Sequence, residues 1–200
     1  EIYRICAKHL VEKGLAYPCF CTPEMIDATR KNQEANKIVP GYYGVYAKCR
    51  NISIDEAIER VKNGEEYILR FRSNGSHLNK TSFVDAGRGK IELAQNDQDV
   101  VLIKKDGLPT YHFAHIVDDH FMHTTHVVRG EEWIPSTPIH IDLANAMGFE
   151  PFTYVHVPLI MIKDGNSKRK LSKRKDKEAA VSYFLSAGYE KEAMIEYLMT

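Results

Sequence analysis

Two hundred residues with 27 Lys and Arg against 27 Asp and Glu give a formal charge of zero, which argues against indiscriminate nucleic-acid binding and leaves room for a local basic site. Hydrophobic residues at 44% and charged residues at 27% describe an ordinary soluble globular chain, long enough for one large domain or two small ones. No apolar run reaches the length of a membrane span, so no membrane contact is expected.

The chain opens on "EIYRICAKHLVEKG", which has no initiator Met and is no signal peptide. Ile2, Ile5, Cys6, His9 and Leu10 fall at helical spacing before Gly14. That spacing predicts an amphipathic helix, and a chain that starts inside a helix reads as a piece of a longer protein. The four cysteines, Cys6, Cys19, Cys21 and Cys49, predict a reduced, cytoplasmic protein rather than a disulfide scaffold. Thr22 followed by Pro23 is a helix start, predicting a helix over 23–36 that "GYYG" breaks. "SIDE" from Ser53 to Glu56 is a capping box whose helix should end near Gly64. "YILRFR" alternates as a strand over 67–72, "SFVDAGRGKIELA" reads as two strands around a glycine-rich turn, and "DVVLIKK" over 99–105 as another. Residues 16–105 therefore form a small α+β unit rich in short strands.

After the "KDGLP" turn the pattern changes. "TYHFAHIVDDHFM" is helical, with Phe113, Ile116, Val117 and His120 on one face and Tyr111, His115 and Asp118 on another. "THVVRG" reads as a short buried strand, Ser136 and Pro138 begin a helix that Gly148 ends, and "YVHVPLIMI" over 154–162 reads as a second buried strand. Strand, helix, strand is the unit of a parallel doubly wound sheet, whose ligands sit outside the carboxyl ends of the strands. The next stretch, over 163–177, is therefore a candidate site loop. From Lys168 to Lys177, seven of ten residues are Lys or Arg. Such a run is usually a solvated loop or a nonspecific phosphate patch. Here it lies between a buried strand and a helix, where Lys170 and Lys173 can close over a triphosphate and Ser172 lets the backbone approach. Residues 178–199 read as two amphipathic helices split at Gly188.

"KLSKR" over 170–174 resembles the Lys-Met-Ser-Lys-Ser signature of class I aminoacyl-tRNA synthetases, in its glutamyl form. "PTYHFAHIVDDHFM", "THVVRGEEW" and "STPIHIDLANAMGF" resemble successive segments of the same family in the same order. The resemblance covers nearly the whole chain. It implies an α/β fold: the second half of a Rossmann-type catalytic domain, entered by the helix at 1–15 and continued over 107–177. It makes 16–106 an inserted α+β domain that binds the tRNA acceptor end, and 178–200 the start of a helical stem-contact region. The implied reaction is ATP-dependent. Glutamate's carboxylate attacks the α-phosphate to give glutamyl-adenylate, and the glutamyl group passes to the terminal adenosine of tRNA. The implied partners are L-glutamate, ATP with Mg2+, and the glutamate tRNA or also the glutamine tRNA, acting on a monomeric enzyme.

The resemblance also assigns roles to residues. Lys173, assisted by Lys170 and with Ser172 between them, contacts the ATP phosphates. Glu132, Trp133, Leu159 and Ile160 surround the ATP nucleoside. Arg129 grips the substrate carboxylate, which suits a guanidinium because it offers two parallel hydrogen bonds. Tyr111 belongs to the amino-acid pocket, and His115 stands where some members carry Asn. Some members also hold zinc in the insertion through Cys-x-Cys and a later cysteine. Cys19, Cys21 and Cys49 match that spacing, but Asn51 stands where a His would follow, so Tyr42 or Tyr43 has to complete the set. His112, His115, His120, His123 and His126 run from a helix into a strand without converging, and no metal is expected there. Arg70, Arg72, Lys80, Arg88 and Lys90 are candidates for acceptor-stem phosphates. The family's His-Ile-Gly-His-like block and its anticodon-binding part are not in this chain, so the full protein is expected to be an enzyme and this fragment alone inactive. The rivals are a glutaminyl-tRNA synthetase, the short paralogue that glutamylates a modified tRNA nucleoside, and a noncatalytic RNA-binding module.

Overall fold

Residues 1–199 are described by a computed structural model; the last residue of the expected stem-contact segment over 178–200, Thr200, lies outside the described residues. The chain divides into two compact units, Glu1–His156 and the part from Val157 onward.

The first unit begins with α1 (Ile2–Glu12). Its inward face is Cys6, Ala7 and Leu10, while Ile2 and Ile5 are exposed. The apolar stripe is therefore rotated from the one the spacing predicts, because the packed row is the i, i+3, i+4 set around Leu10. Gly14 follows at φ 71, a left-handed conformation that a Cβ would disfavour. β1 (Ala16–Cys19) was not legible in the sequence. It is four residues long and contains Pro18, which demotes a strand in any propensity reading.

α2 (Pro23–Ala35) starts where expected, with Thr22 Oγ1 accepting the Met25 N–H at 3.3 Å. α3 (Ile54–Lys62) is capped by Ser53, whose Oγ accepts the Glu56 N–H at 3.1 Å. β2 (Ile68–Phe71) lies between β1 and β5 (Val101–Ile103) in a three-stranded antiparallel sheet. β3 (Lys80–Asp85) and β4 (Gly89–Ala94) form the expected hairpin. Its turn is shaped by Asp85, whose Oδ1 accepts the backbone N–H groups of Gly87 at 3.0 Å and Arg88 at 2.9 Å.

α4 (Tyr111–Phe121) and α5 (Thr137–Met147) are the two long helices of the second half, and Gly148 ends α5 in the left-handed region. β6 (His126–Gly130) and β7 (Thr153–Val157) are neighbours in a four-stranded sheet of order β4-β3-β7-β6, with β3 parallel to β7 through Asp85 and Tyr154. Two expectations need correction here. β6 is an edge strand with Val128 65% exposed, not a buried one. The run over 154–162 is not one strand: it breaks after Val157 because Pro158 has no N–H for the ladder. The main core joins Leu10, Phe71, Leu102, Phe113, Ile116 and Leu143. Each such side chain contributes about 1.5–3 kcal/mol by leaving water. A second cluster holds Tyr17, Cys19, Phe20, Tyr42 and Cys49.

In the second unit the basic stretch is not a featureless loop. β8 (Met161–Asp164) and β9 (Ser167–Lys170) pair as an antiparallel hairpin around Gly165. α6 (Val181–Ser186) and α7 (Lys191–Met199) follow, separated at Gly188 as the pattern predicts.

Candidate active site

The first turn of α4, the end of β6 and the middle of β7 bring four of the sequence-selected residues together. Tyr111 stacks on His115 one helical turn away, with ring centres 5.8 Å apart and planes 6° apart. Trp133, in the 3-10 segment after β6, lies 4.5 Å from the Tyr111 ring. The Arg129 guanidinium sits 5.9 Å from the Trp133 ring and 4.6 Å from that of Tyr154. Glu132 folds back over Gly130, where an added Cβ would meet its carboxylate at 2.0 Å.

Arg129 makes a consistent set of contacts. Its Nε donates to His156 Nε2 at 2.9 Å, and Nη1 donates to His140 Nδ1 at 3.0 Å. Nη2 donates to Thr137 Oγ1 at 2.8 Å and reaches the Trp133 carbonyl at 3.5 Å. Among the described residues none of these partners is a carboxylate. A guanidinium has only donors, so each imidazole nitrogen facing it is an acceptor. His140 therefore carries its proton on Nε2 and donates to His112 Nδ1, 3.0 Å away.

Burial holds these imidazoles neutral. It pushes His140 down to about 2, with His115 and Arg129 adding to the effect. His112 is lowered by burial first and Arg129 second. His115 is likewise lowered, burial outweighing the nearby Asp119 carboxylate. His115 Nδ1 pairs with Asp119, and its Nε2 lies 3.3 Å from the Tyr154 hydroxyl. Arg129 is itself depressed by burial, against the raising influence of Tyr154 and Tyr111, yet guanidinium stays charged. The result is one half-buried positive charge whose hydrogen-bond partners are neutral acceptors, with the Asp119 carboxylate acting on it only at a distance.

Sequence reasoning selected Tyr111, His115, Arg129, Glu132 and Trp133 and missed Asp85, Thr137, His140 and His156. Asp85 Oδ2 accepts both the His156 backbone N–H at 3.0 Å and His156 Nδ1 at 2.6 Å. Burial works to raise the Asp85 carboxyl, but these donors and the Gly87 and Arg88 amides leave it below its ordinary value. A fully buried histidine opposite an acid 71 positions away leaves no local pattern. The one available signal was the run "YVHV", which puts a polar residue in the middle of an apolar strand.

The other selected residues lie in the second unit. Leu159 is half-buried and Ile160 exposed beyond β7, and Lys170 ends β9. Ser172 and Lys173 open a turn in which Lys175 and Asp176 N–H groups bond the Ser172 carbonyl at 3.0 and 2.8 Å. Asp176 pins this turn. Its carboxylate takes the Ser172 N–H at 2.8 Å and both Arg169 terminal nitrogens at 2.7 Å. Arg169 and the Ser172 amide hold Asp176 down at about 2. Arg169 Nε also reaches Asp164 at 2.7 Å, tying the turn to the hairpin.

Cys19, Cys21 and Cys49 converge, their sulfurs within 4.8 Å of one another. Tyr42 joins them, Oη lying 3.2 Å from Cys19 Sγ and 3.3 Å from Cys21 Sγ and accepting the Cys49 N–H at 3.1 Å. Tyr43 instead donates to the Val39 carbonyl at 2.7 Å. Cys19 is made acidic by the Cys49 thiol, with Tyr42 and Arg70 adding donors against the effect of burial. Of the candidate phosphate contacts, Arg70 is buried, stacked over Tyr42 and donating to the Asp99 carbonyl, and so does not face a ligand from outside. Arg72 lies over Tyr17, Lys80 pairs with Glu92, Arg88 pairs with Glu131, and Lys90 is exposed.

Comparison with known proteins adds an independent finding. The model of the family described as class I tRNA synthetases (E and Q), catalytic domain, matches residues 1–200. The chain is 58% identical over 199 residues to a glutamate–tRNA ligase of Clostridium beijerinckii, covering all of this chain and 36% of that protein. It is 52% identical over 199 residues to one from Clostridium perfringens, with the same coverage of each. A crystal structure of a glutamate tRNA ligase from Elizabethkingia meningosepticum in complex with its amino acid matches at TM-score 0.75 and 34% identity, over 94% of this chain and 36% of that one. The chain thus spans 36% of the length of these curated relatives.

Proposed function

We propose, because this chain belongs to the catalytic-domain family of the class I tRNA synthetases for E and Q, that the full-length protein joins glutamate to tRNA through glutamyl-adenylate. The observation that carries this reading is the half-buried Arg129 guanidinium, none of whose hydrogen-bond partners among the described residues is a carboxylate, flanked by Tyr111 and His115. In water a carboxylate and a guanidinium gain little from pairing; partly desolvated and fixed in direction they gain more. Arg129 and the Tyr111 hydroxyl orient the amino acid, while His115, kept neutral, adds no second positive charge. The resemblance assigns the ATP nucleoside to Trp133 and Glu132 in the first unit and, separately, to Leu159 and Ile160 in the second. Lys170 and Lys173 on the Asp176-pinned turn offset the charge that grows on the α-phosphate oxygens as glutamate's carboxylate attacks. ATP arrives as its Mg2+ complex. Most of the acceleration comes from alignment and charge, with no covalent enzyme intermediate. The inserted segment 16–106 then faces the acceptor end of the glutamate tRNA, or of the glutamine tRNA as well, and 178–200 begins the stem contact of a cytoplasmic monomer.

The full-length protein is expected to exchange pyrophosphate into ATP when glutamate is added and to do so far less with glutamine. Exchange at least as fast with glutamine would move the reading to the glutaminyl enzyme, since a single neutral amide would then satisfy Arg129. The isolated 200 residues are expected to give no exchange.

The cysteine cluster fits a tetrahedral zinc site of three thiolates and the Tyr42 oxygen, whose four donors already face one another. Such an ion would hold the second core cluster together rather than act on substrate. Purified full-length protein is expected to carry about one zinc per chain by atomic emission and to lose thermal stability with a strong chelator. Metal-free protein with an unchanged melting temperature would instead assign the cluster to hydrogen-bonded buried thiols.

A further inference from the structure

Arg129 can present its fork to a carboxylate only if the guanidinium plane is fixed, and a plane held by imidazoles is only as fixed as their tautomers. His156 faces two groups with opposite demands. Arg129 Nε has a proton to give, so His156 Nε2 must be bare. Asp85 Oδ2 accepts from His156 Nδ1 at 2.6 Å, so Nδ1 carries the proton. Asp85 in turn has no freedom to rotate. Its two oxygens are held by three backbone N–H groups, those of Gly87, Arg88 and His156. All of its donors come from the turn of the β3–β4 hairpin and from β7, the strand that β3 pairs in parallel. Asp85 and His156 have side chains with no exposure at all, so no water competes for these bonds.

We propose that Asp85 and His156 are positioning residues for the substrate carboxylate: Asp85 fixes the His156 tautomer, and His156 fixes the Arg129 plane. Neither touches substrate. The inference rests on the reading of Arg129 as the carboxylate-binding residue and names what that reading leaves unassigned. It requires the hairpin over 80–94 to be part of the amino-acid site's support. One carboxylate, one neutral imidazole and one guanidinium make the relay neutral, and it needs no further proton.

The test is made in the full-length enzyme by glutamate-dependent pyrophosphate exchange. Asp85→Asn puts an NH2 in place of one accepting oxygen; at the Oδ2 place it opposes one backbone N–H, that of His156, rather than the Gly87 and Arg88 pair, and there it faces His156 Nδ1 as a donor, which permits the tautomer with Nε2 protonated and turns two donors, Arg129 Nε and His156 Nε2, toward each other. The KM for glutamate is expected to rise about tenfold, one strong discriminating hydrogen-bond geometry being lost. The KM for ATP should stay within about twofold. Adding His156→Gln to that variant is expected to recover most of the loss, because an amide carbonyl can accept from Arg129 whatever stands at position 85. A purely structural role for Asp85 would change kcat and both KM values together and would not be rescued. Equal rises in both KM values, or no rescue, would overturn the proposal. If Asp85→Asn does not fold, long-range proton–nitrogen NMR on the histidine-labelled wild type decides. His156 protonated on Nδ1 alone is expected, and protonation on Nε2 overturns the idea. An Arg129→Lys enzyme with unaltered glutamate KM would mark failure of the underlying Arg129 reading, which is a different result from a silent Asp85→Asn.

Discussion

Arg129→Lys in the full-length enzyme is expected to raise the KM for glutamate roughly a hundredfold while the KM for ATP moves little. A lysine places one ammonium where the guanidinium makes at least three directed bonds, to His156, His140 and Thr137. It cannot satisfy those and also direct a charged N–H at a carboxylate. One hydrogen bond to a charged group is worth about 1.5–3 kcal/mol, and about 3 kcal/mol is a factor near one hundred. Preserving the charge is deliberate, since it separates fork geometry from simple attraction. Steady-state exchange kinetics with each substrate varied in turn measure the effect. A glutamate KM within threefold of wild type would show that the carboxylate binds elsewhere, and Arg129 would then be a structural cation on the sheet edge.

Lys173→Ala is expected to lower the rate of adenylate formation by about a hundred- to a thousandfold, the usual cost of removing one group aimed at charge that develops in the transition state. Glutamate KM should stay near wild type, and so should affinity for tRNA measured by filter binding at fixed salt. The converse pattern, weak tRNA binding with adenylation intact, would identify the basic run as an RNA-phosphate contact. Single-turnover measurement with ATP and glutamate isolates the chemical step and keeps product release from hiding the loss.

Periodicity carried most of the fold. The α4 and α5 helices and the capped starts at Thr22 and Ser53 depend on neighbours within four residues, and the β3–β4 hairpin on two runs joined by a short glycine-containing turn; such patterns survive in a string of letters. The errors have equally specific causes. β1 carries a proline, so propensity hid it. The strand predicted over 154–162 stops because Pro158 interrupts it, and its last two residues belong to β8 of the hairpin. The stripe on α1 is rotated because burial follows the packed row around Leu10 and not the mere presence of isoleucine. At the site, Tyr111, His115, Arg129 and Trp133 were reachable because family-like segments contain them. Asp85 and His156 were not, because they meet only when strands 71 residues apart pair side by side, and His140 was not, because it meets Arg129 only where helix α5 packs beside β6. A line of text does not show which imidazole nitrogen faces a guanidinium.

The salt link between Arg169 and Asp176 has a consequence for the shape of the cationic turn proposed to meet a nucleotide. Seven positive side chains within ten positions repel one another and would splay in water. With Arg169 committed to an internal acid, and that acid also gripping the Ser172 amide, the run is pre-shaped before any phosphate arrives. Ordering entropy is then spent during folding and not at the moment of binding. Because Arg169 and the Ser172 amide hold the Asp176 carboxyl down at about 2, that shape does not depend on acidity near neutral pH.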